Sequence, residues 1–481
     1  MTNRPRQKSA AAKSAQTAKP RRSPEYGYIT TEAPPKKSGA APKPVVHVEM
    51  TRSGVDGIFL LLVFALLIIG TATVYTASHV NALNSRQANS YYVIISQIRF
   101  AVSGVGLMFL AAWFAKYTIL RKLTVVVFII TYIVNFITPF VGVSVNGAER
   151  WIGNGTFRFQ PSEPLKLAAV MMFAWYIEKY GPAMKKTNWR TGVPVMLLAF
   201  IAAVCAMAVY LNFGSLTGAG FFGLVFVVLL LLKPVRAGIG GPVIILGAIF
   251  GVMAMQKHLS GLIIFALLGV AMMLLGETPL WFFAFPAVGG IWLWDAVKNN
   301  TIGVVEFLKH TPLAHAGNRL EMWGDPFKDQ LGKGYQMVQS LYAISWGGLS
   351  GLGWGGSRQK HMFLPEPHND FIFSVFCEEQ GFLGALIIMA LFAALIWRGF
   401  VIASRAPDKY ASLLVMGIVM KIAIQALLNI AVVTDALPAT GVPLPFFSYG
   451  GSALWVLLVE MGIILSVSRY SYRKSADNQN N

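Results

Sequence analysis

Long apolar runs separated by short polar links dominate the chain from residue 57 onwards. Each run approaches the roughly 20 apolar residues that a helix needs to cross a bilayer. The pattern therefore predicts an all-α polytopic membrane protein, a helical bundle with about 10–12 transmembrane helices. The twelve runs are 57–79, 92–115, 121–143, 162–180, 192–211, 216–233, 238–256, 259–276, 279–296, 370–398, 410–434 and 446–469.

Basic residues cluster in alternate links between these runs, all on the side of the N-terminal tail. Because positively charged loops stay in the cytoplasm, this distribution predicts that both termini are cytoplasmic. The same parity places the polar segments 144–161, 297–369 and 435–445 outside, with 297–369 as a large extracellular loop. The basic links are Lys116–Lys122, Lys179–Arg190, Lys233–Arg236, Arg398–Lys409 and Arg469–Lys474.

Composition supports the same class of protein. Of the 481 residues, 55% are hydrophobic and only 13% are charged, with a mean hydropathy of +0.57, which excludes an ordinary soluble enzyme. The formal net charge of +19 would suit nucleic-acid binding, but the basic residues lie in the tail and the links, so no nucleic-acid partner is expected. Cys205 and Cys377 lie in or beside apolar segments, which argues against a disulfide framework or a metal cluster.

Residues 1–55 differ from the rest of the chain. They are rich in Ala, Pro, Ser and basic residues, with eleven Lys or Arg against three Glu up to Arg52. Such a segment buries too little apolar surface to fold alone, and it contains no signal peptide. We interpret it as a disordered basic cytoplasmic tail attracted to anionic lipid headgroups, with binding of a cytoplasmic partner as the alternative. The transmembrane domain then spans 56–470, and 471–481 is a cytoplasmic C-terminal tail.

The segment Arg319–Asp370 is polar, charged and glycine-rich, which makes it the first candidate for chemistry. Its mixture of acids and bases suits the binding of an anionic headgroup beside a carboxylate. A solvated loop between two helices is the alternative, because loops are polar and glycine-rich for ordinary reasons. Its acids and bases include Arg319, Asp325, Lys328, Asp329, Lys333, Arg358, Lys360, His361, Glu366 and His368.

Charged residues also stand where one apolar run begins. Glu163 and Lys166 are three residues apart and therefore share one face of a helix. Ionisable groups in a span are costly unless they pair or line a cavity, and both interpretations stay open. Arg150 and Trp151 precede this run and suit an interfacial position near lipid headgroups.

Three further stretches place polar side chains together. The spacing in Gly334–Ser345 predicts a short helix lying in the membrane interface. Polar residues four apart inside run 410–434 are expected to point into the bundle. The prolines and glycines of PLPFFSYGGSAL predict a broken helix entry, whose polar residues either contact a substrate or satisfy freed backbone groups. The residues are Gln339 and Ser340, then Lys421, Gln425 and Asn429, then Ser448 and Tyr449.

Four motifs in this order resemble the SEDS family (shape, elongation, division and sporulation). They are RWI followed by FQPSEPLK, beginning at Arg150; DQLGKGYQMVQSLYAISWGGLSGLGWGGSRQK, beginning at Asp329; LPEPHNDFIFSVFCEEQGFLGA; and LPATGVPLPFFSYGGSAL. Together they extend over most of the chain from Trp151 to its end. We identify the chain as resembling this family on those motifs.

The resemblance implies an inverting peptidoglycan glycosyltransferase that polymerises lipid II at the outer face of the bacterial cytoplasmic membrane, with undecaprenyl diphosphate as leaving group. Alignment on GYQ assigns the essential aspartate, as catalytic base, to Asp329, six residues before Tyr335. Cations would stabilise the diphosphate, and Mg²⁺ would suit it, although the His spacing indicates no metal site. The candidate substrate-binding residues are Arg150, Glu163, Lys166, Arg319, Gln339, Ser340, Lys360, Glu366, His368, Lys421, Asn429, Ser448 and Tyr449.

The resemblance also implies partners, namely a class B penicillin-binding protein that crosslinks the new strand and other divisome or elongasome membrane proteins. The basic tail favours the division type. Two alternatives remain. A lipid II flippase would need polar residues along a whole transmembrane path, whereas here they gather at the outer end. A scaffold that recruits a transpeptidase would not need the Asp329 segment.

The chain departs from the family pattern at several positions. Lys257 stands where Pro is usual, Gln330 where Pro follows the essential aspartate, and Asn369 where Thr is usual. The family has ten spans and the pattern predicts twelve, so 192–236 is a possible two-helix insertion. Because it adds an even number of spans, the predicted sidedness is preserved.

Overall fold

The computed structural model describes residues 50–52, 54–83, 91–145, 148–153, 158–188, 190, 192, 238–256, 258–298, 306, 314–361, 363–470 and 472–474. Nearly all of the predicted insertion at 192–236 lies outside these residues. Most of the predicted basic tail does as well.

Helices make up most of the described chain, which confirms the predicted all-α fold. Each predicted apolar run within the described ranges forms a helix. The outer loop predicted at 297–369 also contains two helices, Ala314–Glu321 and Tyr335–Gly347, and a 3₁₀ helix at Pro326–Asp329. The helices are α1 Gly57–Leu83, α2 Tyr92–Phe114, α3 Tyr117–Val141, α4 Ser162–Lys185, α5 Gly240–Met255, α6 Leu259–Leu275, α7 Trp281–Lys298, α8 Ala314–Glu321, α9 Tyr335–Gly347, α10 Ile372–Ser404, α11 Lys409–Val433 and α12 Gly451–Arg469.

Six of the described helices are long and apolar enough to cross a membrane: α1, α2, α3, α10, α11 and α12. The chain is thus a multi-pass membrane protein. The apolar helices α5 and α6 are shorter, with 16 and 17 residues. Helix α4 has 24 residues, but its charged residues, beginning with Glu163 and Lys166, lower its hydropathy.

Helices α11 and α12 are the most enclosed of these six spans, whereas α2 and α3 have broad exposed apolar faces. Helix α12 packs mainly on α2, and α11 packs on α10, α4 and α6. Gly462 permits the close approach of α12 to α2, because a Cβ atom there would lie 2.2 Å from the Met108 carbonyl oxygen. Cys377 is buried, as predicted.

Helix α10 is broken at Gly381, which has φ 65° and ψ −168°. The sequence pattern predicts one continuous span here. The difference arises because the glycine-rich segment 347–356 supplies backbone partners at the break: the Gly353 N–H donates to the Glu379 carbonyl at 2.8 Å, and the Phe382 N–H donates to the Gly348 carbonyl at 2.9 Å. Buried peptide groups at a helix break need such partners.

Two short strand pairs complete the described structure. Strands β2 (Val143–Val145) and β3 (Ala148–Trp151) are antiparallel and carry Arg150 towards the start of α4. Strands β1 (Met50–Arg52) and β4 (Tyr472–Lys474) form a separate antiparallel pair in a compact unit of their own.

Candidate active site

Arg150 and Arg319 both act electrostatically on Asp370, at the start of α10. Burial raises the pKa of the Asp370 carboxyl, and the two guanidiniums oppose that rise. Gly441 (φ +73°) leaves room for this carboxylate, since a Cβ atom there would lie 2.9 Å from its Oδ2. Arg319 donates to the Ala439 carbonyl at 3.2 Å. The buried Nε of Arg150 has no hydrogen-bond partner among the described residues.

The broken entry to α12 is tied to the LPEPHND segment. The Tyr449 N–H donates to the His368 carbonyl at 2.9 Å, and their rings meet edge to face with centroids 5.7 Å apart. The Ser448 hydroxyl donates to the Asn369 carbonyl and accepts from a backbone N–H, both at 2.8 Å. Glu366 accepts from the Asn369 amide at 2.7 Å and lies 3.8 Å from the His368 imidazole. The side chain of Ser448 thus satisfies freed backbone groups, one of its two predicted roles.

Two ion pairs are buried inside the helical bundle. Lys166 Nζ lies 2.8 Å from Glu163 Oε1, and both side chains are less than a tenth exposed. Lys421 Nζ lies 2.5 Å from Glu460 Oε2, with both side chains buried. Lys421 and Glu460 are near enough to act electrostatically on Lys166. The four residues therefore form one neutral charge cluster, in which removal of any member leaves an excess charge.

Two predicted polar residues join elements of the fold, and a third is buried in the bundle. The Asn429 amide donates to the carbonyls of Asp370 and Val442, both at 2.7 Å, and so ties α11 to the start of α10. The Ser340 hydroxyl donates to the Val433 carbonyl at 2.8 Å, which docks α9 on α11. Gln425 is buried, as predicted from its inward face.

Asp329 ends the 3₁₀ helix and holds the turn that follows it. Its two carboxylate oxygens accept from the backbone N–H groups of Gly332 and Lys333, each at 3.0 Å. Gly332 leaves room for this carboxylate, since a Cβ atom there would lie 2.4 Å from Asp329 Oδ2. Within the part of the chain that the structure describes, no hydrogen bond or ion pair joins this carboxylate to Arg150 or Lys166.

Lys360 lies in the fold of the glycine-rich segment 347–356. Its Nζ lies 3.1 Å from Glu379 Oε1 and donates to the Gly355 carbonyl at 2.6 Å, and the residue is 4% exposed. The neighbouring Glu378 accepts from the Ser357 hydroxyl at 2.5 Å and the Arg358 N–H at 2.8 Å. The predicted substrate-binding Lys360 therefore neutralises a buried carboxylate in this structure.

Sequence reasoning missed two acids of the site. Asp370 closes the LPEPHND run, in which the sequence indicates Glu366 and His368 as site residues but not Asp370. Glu460 stands alone in the apolar helix α12, and a lone acid in a span is itself a signal of a buried partner. Among the described residues, no group of three or more His, Cys, Asp and Glu side chains is placed to hold a metal ion.

Comparison with known proteins places this arrangement in a family. The family model of the cell cycle proteins FtsW, RodA and SpoVE matches residues 57–237 and 232–473. Stage V sporulation protein E of Bacillus subtilis (strain 168) is 33% identical over 421 residues, covering 86% of this chain and 97% of that protein. The probable peptidoglycan glycosyltransferase FtsW of Thioalkalivibrio sp. (strain K90mix) is 33% identical over 415 residues, covering 85% of this chain and 88% of that protein.

Solved structures share the fold. A chain from a peptidoglycan synthase complex that coordinates polymerization and crosslinking superposes with a TM-score of 0.60 at 22% identity, covering 86% of this chain and 98% of that chain. The rod shape determining protein RodA of Thermus thermophilus superposes with a TM-score of 0.50 at 20% identity, covering 87% and 98%. The family model, the sequence identities and the shared fold agree, and the chain belongs to the SEDS family of FtsW, RodA and SpoVE proteins.

Proposed function

We propose that this chain is an inverting peptidoglycan glycosyltransferase that polymerises lipid II into glycan strands at the outer face of the cytoplasmic membrane. The names of its relatives support this activity. One structural observation carries the proposal: Arg150, whose buried Nε is unpartnered among the described residues, lies in electrostatic range of Arg319. Two guanidiniums arranged in this way suit a diphosphate, whose oxygens only accept hydrogen bonds.

The proposed reaction transfers the donor sugar to an acceptor hydroxyl. The acceptor oxygen attacks the anomeric carbon from the face opposite the diphosphate, and a new C–O bond forms. The bond from that carbon to the diphosphate oxygen breaks, and the electron pair leaves with the diphosphate. Arg150, Lys166 and Arg319 stabilise the charge that develops there. The acceptor proton passes to a carboxylate, for which we propose Asp329.

The contacts of Asp329 are compatible with that role. Each of its carboxylate oxygens accepts one backbone N–H. A carboxylate offers about four lone-pair sites, so each oxygen retains one that is free to accept a proton. The two amides also fix the orientation of the carboxylate, which a general base needs if it is to reach a defined hydroxyl.

Sidedness is part of the proposal. The basic links support an arrangement with both termini in the cytoplasm, which places Arg150, Asp329 and Asp370 at the outer face. Lipid II would enter from that side. A divalent cation such as Mg²⁺ would suit the chemistry of the Asp329 carboxylate and the diphosphate.

We further propose a class B penicillin-binding protein as partner, with other divisome or elongasome membrane proteins beside it. The solved complex that shares this fold combines polymerization with crosslinking, which supports such a partner. The basic tail supports the division type over the elongation type.

Purified protein incubated with lipid II tests the function. We expect glycan chains on a denaturing gel and none from Asp329→Ala, whose melting temperature is measured to establish that it is folded. Lipid II transport into liposomes without polymer would instead support the flippase. Failure of both assays, with a transpeptidase still bound, would support the scaffold.

A further inference from the structure

The turn between α5 and α6 is fixed beside the start of α4 by side-chain hydrogen bonds. The Gln256 amide donates to the Asn135 carbonyl at 2.8 Å, and the Asn135 amide donates to the Pro161 carbonyl at 2.8 Å. Pro161 immediately precedes α4, and His258 immediately precedes α6. These bonds hold Gln256 and His258 close to the first turn of α4, which carries Ser162.

Buried polar atoms without partners gather at this place. Ser162 and Gln256 are each 1% exposed and His258 is 7% exposed. The Ser162 hydroxyl, Gln256 Oε1, His258 Nδ1 and the Arg150 Nε all lack a hydrogen-bond partner among the described residues. Buried polar atoms in folded proteins are nearly always hydrogen-bonded, so several unpartnered ones on residues that lie close together indicate a ligand or ordered water.

His258 is a neutral ring of this group within electrostatic range of two cations, Arg150 and Lys166. Burial, together with the charges of Arg150 and Lys166, lowers its pKa to about 3. The ring therefore offers one donor and one acceptor at neutral pH rather than a third positive charge. It makes no capping hydrogen bond to α6. Gly261 leaves space for it, because a Cβ atom there would lie 2.9 Å from His258 Nδ1.

The unpartnered atoms include both hydrogen-bond donors and acceptors, so a ligand that fits must supply both acceptors and donors. The guanidinium Nε of Arg150 donates, and the oxygen of Gln256 accepts; a neutral imidazole also has an accepting nitrogen. Diphosphate oxygens satisfy only donors. Sugar hydroxyls and an acetamido N–H supply the donors that Gln256 and His258 lack.

We propose that Ser162, Gln256 and His258 bind the sugar attached to the diphosphate of the lipid substrate, through its hydroxyl and acetamido groups. This subsite rests on the proposed function, since it extends the diphosphate site at Arg150 and Lys166 towards the sugar. Ordered water filling the same space is the competing explanation.

Calorimetric titration of the full-length protein in detergent micelles tests the subsite with two probes. One is a farnesyl-chain analogue of the lipid-linked disaccharide diphosphate, and the other is farnesyl diphosphate, which lacks the sugars. The variant His258→Phe keeps an aromatic ring but removes its nitrogens. We expect it to lower the affinity for the sugar-bearing probe about tenfold, as for a lost hydrogen bond to a buried group. Binding of farnesyl diphosphate should not change.

Two further variants complete the design. His258→Gln keeps an uncharged donor and acceptor and should recover much of the lost affinity. His361→Phe alters an exposed histidine outside the site and should leave both affinities unchanged. Melting temperatures of all variants establish that each is folded.

Several results would overturn the subsite. If His258→Phe lowers the affinity for both probes equally, the effect is structural. If it lowers neither affinity, water fills the space. Equal affinity of the unaltered protein for both probes would also reject it. Failure of the proposed polymerase activity is a separate result, seen as an absence of glycan chains in the lipid II assay. The subsite can still be present in that case, because a transporter would also bind the sugar-bearing probe more tightly than farnesyl diphosphate.

Discussion

Removing Lys166 tests whether this residue binds substrate or only neutralises Glu163. Lys166 Nζ lies 2.8 Å from Glu163 Oε1, with side-chain exposures of 4% and 6%. Lys166→Met keeps the length and packing of the stem but removes the charge. Because Lys421 and Glu460 neutralise each other, the change leaves the cluster with one excess negative charge inside the bundle.

The expected cost follows from that burial. Breaking a buried ion pair on one side destabilises a protein by about 3–5 kcal/mol, whereas removing both partners is often close to neutral. At about 2 °C per kcal/mol for a large chain, Lys166→Met should lower the melting temperature by about 5–10 °C. Adding Glu163→Gln should restore it. If Lys166 also binds the diphosphate, its removal costs a charged hydrogen bond of about 1.5–3 kcal/mol. The polymerisation rate of the double variant should then remain roughly 10–100-fold below that of the unaltered protein.

Melting temperature in detergent and initial rates of lipid II polymerisation are measured for both single variants and the double variant. Lys421→Met with Glu460→Gln gives a matched comparison, because that pair is equally buried but lies mid-helix in α11 and α12. Recovery of both stability and polymerisation in the Glu163–Lys166 double variant would refute a substrate role for Lys166. An unchanged melting temperature in Lys166→Met would refute the argument from burial itself.

Three further predictions concern the outer face. Asp329→Asn should reduce polymerisation at least about 10²-fold, as expected for loss of a general base, while Asp325→Asn should be milder; equal losses would point to the acidity of the segment rather than to one base. A cysteine at Lys333 should react with an impermeant thiol reagent added to intact cells, and one at Thr187 should not, whereas the reverse labelling would reject the sidedness. Burial raises the Asp370 pKa above 3.8, so the unfolded chain releases this proton first and stability should fall as pH rises from about 4 through the folded pKa. Asp370→Asn should remove that slope in melting temperatures measured across this range, and an unchanged slope would assign it to another group.

Several features of the protein follow from its sequence alone, because they depend on local spacing and on the bilayer. A lipid environment requires each spanning segment to satisfy its own backbone hydrogen bonds, so apolar runs of about 20 residues predict helices directly. Glu163 and Lys166 are a predictable pair because a helix places residues three apart on one face. The long motifs are likewise contiguous, and they indicate the family without any coordinates.

Tertiary structure alone decided which distant charges meet. Lys421 pairs with Glu460 on another helix. Lys360, which the sequence predicts to bind substrate, pairs with Glu379. Asp370 belongs to the site because Arg150 and Arg319, which are far from it in the chain, act electrostatically on its carboxyl group. Helix periodicity shows which face a residue occupies but not what packs against that face, and the energy of a buried charge depends on that neighbour.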